Sequence, residues 1–247
     1  MDKYSRTMEI PSYMSDIEHR LRAVSFMELA QEMAGKGAEL LSFGDTKLKE
    51  VNGAWVLARM HVRFEKMPRW KDNVILNTWH KGLRGVQFLR DYQMCSEDGE
   101  VLVNSTSSWL VMDVVERKML YGDALKDRIP AAPQSTDSAI AAPSPKVTVP
   151  ADVTMEPAGV HVVSYSDVDN NRHTNNTRYV QWAMDVLPDG IPFRKDLREL
   201  IINFNKESHA GESIALSRGC AGSTWYVEGK SDDGQQNFIV KLVFEED

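Results

Sequence analysis

Apolar residues recur at helical spacing in Phe26, Leu29, Ala30, Met33, Ala34, Gly37, Leu40 and Leu41, which predicts one long helix. Its stripe is rich in small residues, as suits a helix lying close against a curved sheet. Alternation takes over directly afterwards: Ala54, Val56, Ala58, Met60, Val62 and Phe64 share one face of a strand. Further strands are predicted at 73–79, 86–94 and 101–113, with Glu97-Asp98-Gly99-Glu100 as the turn between the last two. A second round follows. Tyr179, Trp182, Ala183, Val186 and Leu187 mark a shorter helix capped by Asn175 or Asn176 and stopped by Pro188-Asp189-Gly190. Strands are expected near 198–207, 212–220, 223–230 and 236–245, with Asp232-Asp233-Gly234 turning the last pair. One more strand precedes each helix, near 5–10 and 159–166.

The element order is therefore strand, helix, four strands, written twice, an α+β pattern. Two such copies can join their sheets edge to edge and enclose a shared interior. Between them, residues 130–157 carry six of the ten prolines and read as an ordered or semi-extended linker. The expected boundaries are 1–128, a linker at 129–157, and 158–247.

Composition narrows the class. Of 247 residues, 42% are hydrophobic and 26% charged, which fits a globular domain pair and excludes collagen-like, disordered and disulfide-scaffold chains. The net charge of −7 argues against a non-specific nucleic-acid binder. Cys95 and Cys220 read as reduced, mostly buried thiols. No secretory signal or run of about 18 apolar residues is readable, so a cytoplasmic protein without stable membrane association is expected.

The densest polar segment runs from Ser166 to Asn176, between a strand and the second helix. Asp169, Asn171 and His173 stand two residues apart, so an extended chain would send all three to one side. A carboxylate, an amide and an imidazole beside a helix N-terminus suit acyl-transfer chemistry, with backbone N–H groups to polarise a carbonyl. Calcium is excluded, because Arg172 and Arg178 stand where an EF-hand loop needs Gly and Glu. Zinc is weakly supported, because no second His or Cys stands at ligand spacing near His173, and no metal or cofactor is expected.

Asp169-x-Asn171-x-His173-x-Asn175-Asn176-x-x-Tyr179 resembles the signature of the acyl-acyl-carrier-protein thioesterases. The resemblance extends through Trp55, Pro68-x-Trp70-x-Asp72, Thr78-Trp79, Arg90-Asp91, Ser107-Ser108-Trp109 and Phe204-Asn205-Lys206-Glu207-Ser208. It implies a tandem hotdog, two helix-in-sheet repeats in one chain, and hydrolysis of fatty acyl-acyl carrier protein to free fatty acid. It also implies catalytic work for Asp169, Asn171, His173 and Glu207. Asn175, Asn176, Arg172 and Arg178 are the candidate substrate-binding residues. Ser208 stands where the plant pattern has Cys and lacks a Gly-x-Ser-x-Gly elbow, so water is the expected nucleophile. Glu207 is expected on the polar side of its strand, facing Asp169 and His173 in a water-poor interior. Either carboxylate would act as base, with Asn171 positioning water or carbonyl and His173 serving the leaving thiolate.

Sliding the second helix back by 152 positions lays Asp169, Asn171 and His173 over Ile17, His19 and Leu21. The polar set is not repeated, so one site per chain is expected, with the first repeat shaping the acyl pocket and His19 structural. The acidic carrier needs a basic rim, for which Arg172 and Arg178, the Arg194-Lys195-Arg198 group and the Arg63-Lys66-Arg69-Lys71 group are candidates. A duplicated chain already supplies the pairing that single hotdogs reach by dimerising, so a monomer or homodimer is expected. The alternatives are an acyl-CoA thioesterase of the same superfamily and a non-catalytic acyl-binding protein.

Overall fold

The computed structural model describes residues 3–126, 133–188 and 190–246. The first repeat holds β1 (Lys3–Glu9), helix α1 (Ala23–Leu40), a short α2 (Asp45–Glu50), β2 (Gly53–Phe64), β3 (Asn73–Arg84), β4 (Gln87–Ser96) and β5 (Val101–Asp113). A two-residue β6 (Lys118–Met119) and helix α3 (Gly122–Lys126) close it. The second holds β7 (Glu156–Val162), α4 (Asn176–Asp185), α5 (Ile191–Arg194), β8 (Leu197–Phe204), β9 (Ser213–Ala221), β10 (Thr224–Ser231) and β11 (Gln236–Phe244). Met1, Asp2, the boundary expected at 128–129, Pro130 and Asp189 of the helix stop lie outside the described residues.

The strands form one antiparallel sheet in the order β1-β3-β4-β5-β2-β8-β11-β10-β9-β7, with β6 on β5. The second half of that path mirrors the first. The repeats meet edge to edge where β2 pairs β8, with Arg59 opposite Asn203 and Arg63 opposite Glu199. This seam carries a charge cluster. Glu199 accepts from His61 Nε2 at 2.8 Å and from Lys241 Nζ at 3.0 Å.

Both helices lie inside the curve and share one core. Phe26, Leu29, Ala30 and Met33 of α1 and Tyr179, Val180, Trp182 and Ala183 of α4 are buried in a single cluster with Leu200, Ile202, Phe238 and Val240. Burying such side chains stabilises by about 1.5–3 kcal/mol each. The central cluster draws on both repeats, and a smaller one of Ala38, Phe43, Leu48, Val111, Leu120 and Leu125 belongs to the first repeat alone. Gly37 of α1 faces the sheet so closely that a Cβ there would stand 2.7 Å from Arg90 Nη1.

From Pro133 onward the proline-rich segment is a strap across the outer face of the sheet. Its Ala139 N–H donates to Asp91 Oδ2 at 2.7 Å, and its Val147 N–H to Asn203 Oδ1 at 2.6 Å. Val147 packs with Ile201, Tyr226 and Ile239, joined by Val149, Val153 and Met155. Gly219 lets this contact form, since a Cβ would come within 2.6 Å of the Thr154 carbonyl. The thiols differ from expectation: Cys95 is half-buried and Cys220 exposed, because both fall on peripheral strand positions. Among the described residues no helix is long and apolar enough to cross a membrane.

Candidate active site

The polar segment folds into a compact turn ahead of α4. A 3-10 turn at Tyr165–Asp167 is closed by a capping box between Ser164 and Asp167. Burial alone would raise the Asp167 carboxyl, but hydrogen bonds from His161 and Ser164 outweigh it and hold it below its ordinary range. Val168 and Thr174 then bridge the two sides of the next turn. Within it the Asp169 N–H donates to the His173 carbonyl and the Arg172 N–H to the Asp169 carbonyl, both at 3.0 Å. The Asn171 N–H donates to Asp169 Oδ1 at 2.8 Å. Arg172 has φ of 66°, which turns the chain back on itself.

This corrects the extended reading of the motif. Asp169, Asn171 and His173 do not share a strand face. The Asp169 carboxylate folds into its own turn, its second oxygen taking the Asn175 amide at 3.4 Å. Asn171 and His173 instead line a cavity.

Glu207 also departs from expectation. β8 ends at Phe204 because the N–H groups of Asn205 and Lys206 both turn to the Asn237 carbonyl, at 2.8 and 3.1 Å, and the chain leaves the ladder. The side of β8 opposite Leu200 and Ile202 is not polar and open either: Ile201 and Asn203 are buried there, under the strap. Glu207 therefore sits on the 205–212 loop, its side chain 46% exposed, with Oε2 at 3.3 Å from His173 Nδ1. The His173–Glu207 half of the expected convergence occurs, but at the protein surface and not in a dry interior, and no Asp169 contact to Glu207 accompanies it among the described residues. The loop is anchored by Ser208, which has no exposed area. Its hydroxyl lies 2.7 Å from Thr174 Oγ1 and 2.9 Å from Tyr179 OH, and its carbonyl accepts from the Thr174 N–H at 2.8 Å.

The same loop brings His209 to the cluster. Its ring centroid is 4.9 Å from that of His173, and its Nε2 is 3.8 Å from Glu207 Oε1. The absence of a second imidazole near His173 holds along the chain and fails in space. An i, i+2 spacing around a buried serine was the available signal, since it sends Glu207 and His209 outward together.

The remaining candidates serve the scaffold more than the cavity. Asn175 is the N-cap, its Oδ1 accepting from the Thr177 N–H at 2.9 Å, and the Arg178 N–H bonds the Asn175 carbonyl. These internal caps occupy N–H groups that were expected to polarise a carbonyl. Asn176 is the first residue of α4 and half-buried. Arg178 reaches back to α1, its Nη2 at 3.1 Å from Glu28 Oε1 and its Nη1 donating to Gln181 at 2.7 Å. Arg172 is exposed at the tip of the turn.

The cavity has a volume of about 500 Å³. Asn171 and His173 are its lining from the second repeat; the walls come from α1 (Gln31, Ala34, Gly35, Ala38), Phe43, Trp55, Phe88, Leu89 and Trp109. His80 and Arg90, given no role above, also line it. Burial, and then the Arg90 charge, push His80 down to about 4, so its ring is neutral at neutral pH. Arg90 Nη1 donates to Thr78 Oγ1 at 3.2 Å.

The repeats match at an offset of 153, not 152. Asp16 then stands for Asp169, Glu18 for Asn171 and Arg20 for His173. Asp16 Oδ1 accepts from the Glu18 N–H at 2.9 Å. The Asp16 N–H donates to the Arg20 carbonyl at 2.9 Å, and His19, with φ of 62°, donates to the Asp16 carbonyl at 3.0 Å. The aspartate and its turn are thus repeated, while the amide and imidazole are not. Arg20 is buried and bonds the Lys195 and Pro192 carbonyls at 2.9 and 2.8 Å. An aspartate that builds the same turn where Arg20 stands in place of His173 acts as a turn former in both places. His19 is exposed and rests against Trp70, with ring centroids 5.2 Å apart.

The family model described as the acyl-ACP thioesterase N-terminal domain matches residues 1–121, and that of the C-terminal domain matches residues 155–243. The chain is 29% identical over 233 residues to the palmitoyl-acyl carrier protein thioesterase of Arabidopsis thaliana, covering 88% of this chain and 56% of the relative. It is 27% identical over 224 residues to the dodecanoyl-[acyl-carrier-protein] hydrolase of Cinnamomum camphora, covering 83% and 56%. The chain thus spans a little over half the length of these relatives. Among solved structures, an acyl-ACP thioesterase from Bacteroides thetaiotaomicron superposes with a TM-score of 0.86 at 22% identity over 98% of both chains. The 12:0-ACP thioesterase of Umbellularia californica gives 0.84 at 20% identity, over 99% of this chain and 98% of that one. These likenesses establish the tandem hotdog fold, and the two family models, which together span most of the sequence, place this chain in the acyl-ACP thioesterase family.

Proposed function

We propose that the chain hydrolyses the thioester of a fatty acyl-acyl carrier protein, releasing the fatty acid. The observation that carries this reading is the His173–Glu207 pair, 3.3 Å apart, beside a cavity of about 500 Å³ walled by aromatic and small side chains. The acyl chain lies in that cavity, between α1 and the first half of the sheet, and the thioester stands at Asn171 and His173. Glu207 holds the imidazole through Nδ1, which leaves Nε2 for a water molecule. As the water oxygen attacks the carbonyl carbon, its proton passes to Nε2. Collapse of the tetrahedral intermediate breaks the C–S bond, and the imidazolium returns that proton to the departing sulfur. The Asn171 amide steadies the carbonyl oxygen or the water. Asp169 shapes the turn that presents both residues.

Carrier docking is assigned to the face around Arg172. Arg178, expected on the same rim, is engaged by Glu28, and the more distant groups are partly neutralised through Lys66–Glu100 and Arg198–Glu245.

The test is Glu207→Gln with acyl-carrier and acyl-CoA substrates of one chain length. Turnover on the carrier substrate is expected to fall by about 10²- to 10⁴-fold, with unchanged melting because Glu207 is exposed. Undiminished turnover removes Glu207 from the mechanism. Faster hydrolysis of acyl-CoA than of the carrier ester favours the CoA reading.

A further inference from the structure

We infer that His173, Glu207 and His209 form a binding site for a borderline divalent cation, zinc above all, and that the bound ion shuts the hydrolytic site. One ligand atom from each residue lies within 4.8 Å of the others. The carboxylate stands between the two rings, 3.3 Å from His173 Nδ1 and 3.8 Å from His209 Nε2. Ligands around tetrahedral zinc stand roughly 3.3 Å apart, given bonds of about 2.0–2.2 Å. The larger separations close by side-chain rotation alone, since all three side chains are between 41% and 47% exposed.

The backbones beneath them are held. The Thr174 N–H bonds the Ser208 carbonyl, Gly211 bonds the Val163 carbonyl, and the Glu212 N–H bonds the His209 carbonyl. Asn237 Nδ2 donates to the Glu207 carbonyl at 3.3 Å. Two imidazoles and one carboxylate suit zinc better than calcium or magnesium, which take oxygen ligands. Arg117, whose Nη2 is 3.7 Å from Glu207 Oε1, is 82% exposed and swings away at little cost. A bound ion occupies His173 Nδ1 and the Glu207 carboxylate, the pair assigned to proton transfer above. Inhibition, unlike binding, therefore rests on the hydrolytic reading of the site.

The test uses the full chain carrying Cys220→Ser, which removes an exposed competing thiol. Zinc is titrated calorimetrically, and acyl-carrier hydrolysis is followed with zinc and after chelation. One equivalent is expected to bind, and turnover to fall by at least about tenfold and return with chelator. His209→Ala is expected to hydrolyse at the parent rate and melt at the parent temperature. Its zinc affinity should drop by about 100-fold, and inhibition should shift to match. Absence of binding, or equal affinity in His209→Ala, overturns the site. Binding that leaves turnover unchanged or raises it overturns the inhibition. A chain that binds zinc through His209 but never hydrolyses the ester retains the site and refutes the hydrolase reading instead.

Discussion

Ser208→Ala separates a serine nucleophile from a serine that holds a loop. The Ser208 hydroxyl is buried without exposed area and touches Thr174 Oγ1 at 2.7 Å and Tyr179 OH at 2.9 Å. Removing it strips one partner from each hydroxyl, and a buried polar group left unsatisfied costs about 1–3 kcal/mol. Thr174 and Tyr179 also interact with one another, so the loss amounts to about one such group, roughly 2 kcal/mol. For a chain of this size that lowers the melting temperature by about 4–8 °C. Single-turnover hydrolysis of an acyl-carrier substrate at 25 °C, well below the melt, then reads the chemistry separately. Turnover within about tenfold of the parent is expected, because the serine anchors the Glu207 loop and does not attack. A melt that does not move, with turnover reduced about a thousandfold or more, refutes the reasoning and restores Ser208 as nucleophile.

Asp169→Asn preserves an oxygen that accepts from the Asn171 N–H, so it should keep turnover within about tenfold, whereas Asp169→Ala loses the turn and falls further. A collapse in the Asn variant equal to that of Glu207→Gln would make Asp169 the base. Glu199 at the seam is held down to about 2, chiefly by the His61 hydrogen bond and against the opposing effect of burial. A carboxyl lowered on folding contributes stability that is complete above its ordinary value near 4.5 and is lost as pH falls toward 2. Denaturant melts of Glu199→Gln should therefore show a flatter stability–pH curve across that window; an unaltered slope contradicts the assignment. Arg172→Glu should raise KM for the carrier substrate in a salt-sensitive manner, while Arg178→Glu should mainly lower stability through Glu28. Equal KM effects at both positions would return Arg178 to the rim.

Period-two alternation from Met60 to Phe64 and from Phe238 to Phe244 was legible because each face of those strands meets a different environment. Ala54, Val56 and Ala58 do not share that face as expected: a bulge between Leu57 and Arg59 reverses the phase, which leaves Val56 exposed and Leu57 buried. The same rule misled at Asp169, Asn171 and His173. Asx-turn geometry and a left-handed Arg172 override extension there, and neither is visible as hydrophobic pattern. The one-residue slip between 152 and 153 has a similar origin: the turns align through the positive φ of His19 and Arg172, which neither residue type announces. His209 escaped notice because ligand spacing along the chain cannot report two loops anchored to each other through Ser208 and Thr174. The strap was read as a connector by its prolines, although Val147, Val149 and Val153, two and then four residues apart, pack with Ile201, Tyr226 and Ile239.

α1 outruns its counterpart. At the offset of 153, α4 stops at the position of Glu32, where Pro188 soon follows, while α1 continues to Leu40. Ala34, Gly35 and Ala38, three residues of the cavity wall, all fall in that continuation. The molecule therefore owes its receptacle to an overhang of roughly two helical turns, each about 5.4 Å long. Such an overhang acts as a gauge: bulkier or smaller residues along it would reset the depth of the cavity without disturbing the turn that presents Asn171 and His173.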